Sequence, residues 1–196
     1  MSEDPYVTII VVNWNNYKDT SECLKSLHSI EYDNYEIIVV DNGSTDGSRQ
    51  KLVQEFDEIN FMFNKENKGF AKANNKGIER ALRDNSEYVL LLNNDTVVTR
   101  EFLRPLVQTA ESHSRAGIVG GIIHREDDNS IWYSGAKFYT HIVKSKHTEK
   151  IKSTDPYETE FVTGAMMLLS ADLLNEVGKL NDDYFFGQED LDLAWR

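Results

Sequence analysis

YVLLLNNDTVV, residues 88–98, is the stretch on which the fold turns. An apolar run from Tyr88 to Leu92, too short for an ordinary helix and bounded by turn-forming residues, reads as a strand covered on both faces. Such a strand belongs at the centre of a sheet. It ends in Asn93, Asn94 and Asp95, so a buried strand emerges at a carboxylate flanked by short polar groups. The same triplet is ordinary turn chemistry, and taken alone it fits an Asx turn equally well.

Working outward, the chain from residue 1 to about 120 alternates short apolar runs with helix-like segments. YVTIIVV (6–12) and EIIVV (36–40) read as buried strands, and INFMFN (59–64), more alternating, reads as a strand nearer an edge. Helices are predicted from about Tyr17 to Ser29, over SRQKLVQEF (48–56), over FAKANNKGIERALRD (70–84) and over EFLRPLVQTAESH (101–113). Pro105 falls in the first turns of the last, where it is tolerated. AGIVGG (116–121) ends a fifth strand. In FVTGAMMLLSADLLNEVG (161–178) we read a strand, a turn at Gly164, another apolar run and a short helix capped by Ser170 or Asp172. This alternation predicts one Rossmann-like α/β domain over 1–196, a mostly parallel central sheet flanked by helices, with ligands at the carboxyl ends of the strands.

The 196 residues are 40% hydrophobic, enough for one domain with its own core. A formal charge of -12 repels nucleic acid and anionic surfaces over most of the exterior. An anionic ligand therefore needs a local solution, and a bound divalent cation is one. Cys23 is the single cysteine, which excludes an internal disulfide; in DTSECLKSLHSI (19–30) it shares a helical face with Leu24, Leu27 and Ile30 and reads as a buried thiol. The start MSEDPYVTIIVV has no basic region before its apolar run, and no apolar stretch reaches the roughly 18 residues of a membrane span, so the chain reads as soluble. It stops at DLAWR inside a helix-like segment with no terminating signal, as a piece of a longer protein would.

The carboxyl-end rule directs attention to the polar clusters that follow the strands. In NWNN (13–16), Trp14 can lay its face on a planar base or can be an edge tryptophan. In DNGSTDGS (41–48), Asp41 can accept a hydrogen bond from a ring N–H of a nucleobase, Gly43 permits a tight turn, and Ser44 or Asp46 can cap the next helix. A plain strand-turn-helix connection would look the same. In NKGFAKANN (67–75), Gly69 opens a helix whose free N–H groups, with Lys68 and Lys72 nearby, would suit a phosphate; solvated lysines beside a helix entry are the plainer reading. In FFGQEDLDLAWR (185–196), Glu189, Asp190 and Asp192 crowd a helix start beside Tyr184, Phe185 and Phe186. Acids there can serve the helix dipole alone, or, with apolar and like-charged neighbours, one can become a general base. From Arg125 to Glu160 no helical period survives, and we read an irregular or hairpin insertion. It carries five lysines between Lys137 and Lys152, with His141 and His147. A solvated loop is the first reading of that stretch, contact with an acceptor or a lipid headgroup the second.

Taken in order, VVNWNN, DNGSTDGS, NKGFAKANN, LLNNDTVV, TGAMML and EDLDLAWR resemble the family 2 inverting glycosyltransferases, especially the rhamnosyltransferase-like members that build bacterial surface polysaccharides. The resemblance implies the glycosyltransferase A-type fold, with a nucleotide-binding half over 1–120 and an acceptor and catalytic half over 121–196 completed by residues beyond the end. It implies a donor that is a UDP-, dTDP- or GDP-sugar, a saccharide or lipid-linked saccharide acceptor, and a cytoplasmic protein that can sit peripherally at the inner face of the cell membrane. It makes Asp41 the base-recognising carboxylate, and Val12, Trp14, Asn15 and Gly43 parts of the nucleotide pocket. Asn67, Lys68, Gly69 and Asn74 become a second wall. Asn93, Asn94 and Asp95 occupy the family's Asp-x-Asp metal triplet, leaving Asp95 as the ligand of Mn²⁺ or Mg²⁺ with Asn94 beside the donor. Gly164 and Ala165 fall in the loop near the donor sugar and acceptor, and Asp190, assisted by Glu189, matches the catalytic base. A nucleotidyltransferase would want a glycine-rich basic loop where this chain has NWNNYKD, and a dehydrogenase would want GxGxxG there. A non-catalytic nucleotide-sugar binding module stays open.

Overall fold

The computed structural model describes residues 4–139 and 144–196; Met1 to Glu3 of the N-terminal reading and His141 of the basic stretch lie outside them. Four parallel strands form one side of the sheet: β1 (Val7–Asn13), β2 (Tyr35–Asp41), β3 (Asn60–Phe63) and β4 (Tyr88–Asn93). With β5 (Ile118–Val119) and β10 (Met166–Ser170) they give the order β3-β2-β1-β4-β10-β5. β4 is central and β3 is at an edge, as their hydrophobic patterns require. β10 runs antiparallel to both of its neighbours.

Period-two alternation sends successive residues of each strand to opposite faces, and here both faces are covered. Ile9, Val11, Leu90 and Leu92 pack with Leu24 and Leu27 of α1 (Tyr17–Leu27), Leu52 of α2 (Ser48–Glu55) and Leu103 and Leu106 of α4 (Leu103–Ser112). Ile10, Val40, Val89 and Leu91 pack with Ala71 and Ile78 of α3 (Phe70–Arg83) and Leu174 of α5 (Ala171–Val177). Gly77 sets how closely α3 approaches: a Cβ there would lie 2.8 Å from Ile10 Cγ2. With Leu90 fully buried, its truncation to Ala would cost about 2–5 kcal/mol.

Three local expectations are corrected. AGIVGG supplies only the two residues of β5, separated from β4 by β10, because the longer run MMLLS takes the place beside β4. Phe161 to Thr163 form no strand; all three are buried, Phe161 against Tyr133 and Ala136 of the insertion and Val162 in the core on one face of the sheet. Ser170 does cap α5, accepting from Leu173 N, whereas α2 starts at Gly47 with Asp46 receiving the Ser48 N–H at 2.9 Å and Ser44 turned elsewhere.

The insertion is two hairpins, β6 (Ile123–His124) with β7 (Ile131–Tyr133), and β8 (Ala136–Tyr139) with β9 (Lys144–His147). Tyr133, Ala136 and Phe161 form a third apolar cluster with Leu191 of α6 (Glu189–Trp195), fastening the hairpins to that helix.

Candidate active site

A chain of hydrogen bonds crosses the carboxyl edge of the sheet. Asn94 Nδ2 donates to Thr20 Oγ1 at 2.7 Å, Thr20 Oγ1 donates to Asn13 Oδ1 at 2.9 Å, and Asn13 Nδ2 donates to Asp41 Oδ2 at 2.8 Å. The Asn13 amide also reaches Ser44 Oγ and Ser48 Oγ, and the second Asp41 oxygen accepts the Ser44 N–H at 3.1 Å. Asn13 is 0% and Asp41 1% exposed, so each needs these partners. Thr20 and Asn13 were not among the residues singled out in the sequence. Their signal is the register Asn13↔Asp41 between β1 and β2, which a linear reading does not contain.

Trp14 stands beside this chain with 53% of its surface open, and Val12 is half-buried. Asn15, at φ 52°, turns its N–H to Ser44 Oγ and its carbonyl oxygen Oδ1 to Thr45 N, tying the turn after β1 to the turn after β2. Gly43 is required twice over: its φ is +80°, and a Cβ would lie 2.4 Å from the Glu66 carbonyl carbon.

The second wall is stapled from behind by Asn42, another residue the sequence reading passed over. Asn42 Nδ2 donates to Asn67 Oδ1 and Gly69 O, while its Oδ1 accepts from Asn64 Nδ2 and Lys68 N. Lys68 is exposed and pairs with Glu66. Asn74 is buried with its amide on the Phe70 carbonyl, so it braces α3 and presents no open polar atom. The helix start at Gly69 offers only part of the free donor set expected there. Gly69 N donates to Asn67 Oδ1, and Phe70 N donates to the carbonyl of Phe185 at 2.7 Å. A Cβ on Gly69 would lie 2.5 Å from that same oxygen. The segment before α6 thus takes one of the N–H donors expected to meet a phosphate.

Asp95 is exposed in the turn after β4, closed by Thr96 N donating to Asn93 O at 3.2 Å. Among the described residues no group of three or more His, Cys, Asp or Glu side chains is arranged for a metal. A lone open carboxylate fits a hard cation only when the remaining ligands are diphosphate oxygens and water, a pattern common for Mg²⁺.

The acids of α6 meet the end of β4 through the loop before β10. Gly164 N donates to Asp190 Oδ2 at 2.9 Å, and Leu191 N donates to Asp190 Oδ1 at 2.8 Å. In the next residue, the carbonyl of Ala165 accepts the N–H of Asn93 at 3.0 Å. Glu189 differs from its neighbour: it is 4% exposed, its Oε2 has no hydrogen-bond partner, and burial foremost pushes its carboxyl above the usual carboxylate range. His147 corrects the solvated-loop reading at its own position. Its ring is half-buried, edge-on to Trp132 and Tyr133 with centroids 4.9 and 5.3 Å away. Burial lowers its imidazole pKa, opposed by the charge of Asp190. Cys23 has no part in the site; burial pushes its thiol up to about 12.

Residues 8–178 match the model of "Glycosyl transferase family 2", a span that ends before α6. The chain is 28% identical over 194 residues to the low-salt glycan biosynthesis hexosyltransferase Agl10 of Haloferax volcanii, covering 97% of this chain and 61% of the relative. It is 25% identical to glycosyltransferase GlyA of Streptococcus pneumoniae, covering 96% of this chain but 28% of that one. The chain therefore spans only part of the relatives it matches. Among solved structures, the mannosyltransferase PcManGT from Pyrobaculum calidifontis in complex with GDP-Man and Mn²⁺ superposes with a TM-score of 0.70 at 20% identity, over 98% of this chain and 51% of that one. S. aureus TarS 1-349 in complex with UDP gives 0.66 at 19% identity, over 96% and 54%. At these identities the likeness is one of fold. With the family model spanning β1 to the end of α5, the chain belongs to glycosyl transferase family 2.

Proposed function

We propose that the protein transfers a sugar from a UDP-, dTDP- or GDP-sugar to a hydroxyl of a saccharide or lipid-linked saccharide, with inversion, in bacterial-type cell-surface polysaccharide synthesis. The observation that carries this reading is the pair of contacts Asp190–Gly164 and Ala165–Asn93. They hold the acid of α6 and the Asp95 turn against one loop, so a proton acceptor and an open carboxylate share one edge of the sheet. The GDP-Man and Mn²⁺ held by PcManGT, and the UDP held by TarS, support a nucleoside-diphosphate donor at that edge.

In this reading residues 1–120 bind the nucleotide and 121–196 carry the acceptor and the base. Asp41 accepts from a base N–H, with Trp14, Val12, Asn15 and Gly43 shaping one wall and Asn67 and Lys68 the other. Asp95 holds the divalent cation, Mn²⁺ or Mg²⁺, which when bound supplies countercharge for the diphosphate. Asp190 takes the proton of the acceptor hydroxyl as its oxygen attacks the anomeric carbon from the face opposite the nucleotide. That single displacement inverts the centre, and the diphosphate leaves as an anion that needs no proton. Glu189 stands behind the base, buried. In this reading the protein works in the cytoplasm, resting peripherally on the inner face of the membrane; among the described residues no helix is long and apolar enough to cross it.

The test is thermal shift with UDP-, dTDP- and GDP-sugars, with and without Mn²⁺. A bound donor at about 100 times its dissociation constant adds roughly 2.7 kcal/mol. Absence of stabilisation by all of them would end the donor assignment.

A further inference from the structure

In a chain of formal charge -12, the β8–β9 hairpin and the residues after it are a basic island. Lys137 and Lys146 are direct partners in the antiparallel register, an arrangement of like charges that destabilises a hairpin unless something neutralises it. Both are exposed, and the neighbouring acids are engaged elsewhere: Glu149 pairs with Arg125 at 3.2 Å, and Glu160 Oε2 accepts the Phe138 N–H at 2.7 Å. Lys137, Lys146 and Lys150 line a concavity of about 690 Å³ together with Ser145, Thr148, the His147 ring and Glu149, the acid that Arg125 holds at its rim.

The opposite face of the hairpin is fixed to the helix of the base. Phe138 meets Trp195 of α6 edge-on at 5.0 Å between centroids, Ala136 packs in one cluster with Leu191, and His147 is caged beside Trp132 and Tyr133. Lys137 and Lys146, alternating with Ala136 and Phe138, therefore stand on the face of a hairpin whose other face is fastened to the helix that carries Asp190. The geometry points to a binding surface for a phosphate-bearing acceptor saccharide: its charged group rests on Lys137, Lys146 and Lys150 while a hydroxyl elsewhere on the same molecule reaches Asp190. Lysine ammonium groups and two hydroxyl side chains suit phosphate oxygens, and a neutral glycan leaves the lysine pair uncompensated. This rests on the transferase reading above, since only a transferase has an acceptor.

The experiment compares binding of phosphorylated dextran and unmodified dextran of equal length by calorimetry, at two salt concentrations. Phosphorylated dextran is expected to bind and the neutral polymer not. A fourfold rise in salt should weaken binding by about tenfold as counterions are released. Lys137→Gln/Lys146→Gln should weaken it by about tenfold, and Lys137→Arg/Lys146→Arg should keep it. Both pairs are exposed, and an unchanged donor-induced thermal shift in the Gln variant shows that the fold and donor site stand. Equal affinity for the two dextrans, or undiminished binding by the Gln variant, overturns the proposal. So does binding confined to vesicles of 30% phosphatidylglycerol in phosphatidylcholine, which makes the surface a membrane contact. Binding of phosphorylated dextran by a protein that no nucleotide-sugar stabilises upholds the anion surface and removes the transferase reading instead.

Discussion

Asn13 and Asp41 face each other twice, once as register partners across β1 and β2 and once through a 2.8 Å hydrogen bond between their side chains. With the Ser44 N–H on Oδ1, the second contact gives each Asp41 oxygen one protein donor and fixes the orientation of the carboxylate. Asn13→Ala should strip Asp41 Oδ2 of its donor and the Thr20 hydroxyl of its acceptor. An unpaired buried group costs about 1–3 kcal/mol, and each kcal/mol is roughly 2–4 °C of Tm in a chain of this size. Asn13→Asp should be worse, because it places a second carboxylate against the first. Calorimetry of both variants, with nucleotide-sugar titration, checks the order; a wild-type Tm for Asn13→Asp would mean that the pair is not a structural hinge of the pocket.

Asp190 is aimed by the Gly164 N–H. A Cβ on Gly164 would lie 3.4 Å from both Asp190 Cβ and Oδ2, an ordinary contact, so Gly164→Ala should fold normally. Gly164→Val adds methyl groups against the carboxylate and should lower kcat by about tenfold or more through misplacement. Asp190→Asn should abolish transfer and retain donor-induced stabilisation. Normal transfer by Asp190→Asn would take the base role away from this residue.

Asp95→Ala should erase the difference between donor stabilisation with and without Mn²⁺, measured as two thermal-shift curves. A persistent Mn²⁺ effect would put the cation on other ligands.

Glu189 imposes a pH dependence whose sign follows from its raised pKa. Folded protein holds this proton more tightly than unfolded chain, so stability is full below the unfolded value of 4.5 and declines as pH rises through the folded pKa. Glu189→Gln lacks that proton. Urea unfolding of both proteins between about pH 4 and 7 should show the wild type losing stability relative to the variant as pH rises. Parallel curves would mean that the carboxyl is not desolvated.

Cys23, fully buried with its thiol pushed up to about 12, should resist alkylation in native protein at pH 8 and react once urea unfolds the chain. Rapid native labelling would show that α1 opens locally.

The parts of this arrangement legible in the sequence are those written in local patterns. Tyr88 to Leu92 declare a central strand by unbroken hydrophobicity, and Asp41 and Asp95 stand out because a carboxylate follows such a run, directly at Asp41 and after two asparagines at Asp95. Asn13 also ends an apolar run, but its four partners come from α1, β2, the turn after β2 and the start of α2, so nothing in NWNN sets it above Asn15 or Asn16. The partner of the Phe70 N–H at the start of α3 is the carbonyl of Phe185, a backbone atom with no sequence signature at all. Likewise, the weak local signal of IV at 118–119 is overruled by competition for one hydrogen-bonding edge, which the longer MMLLS wins.

That competition also sets an order of assembly. Until residues 166–170 leave the ribosome, that edge of β4 lacks β10 and has only the two residues of β5 made to take its place, while its apolar side chains are already present. An open hydrophobic edge of that kind is a template for association between nascent chains. Translational pausing before residue 166, or a stop codon there, should therefore yield aggregates and chaperone-bound chains, not a smaller version of the domain.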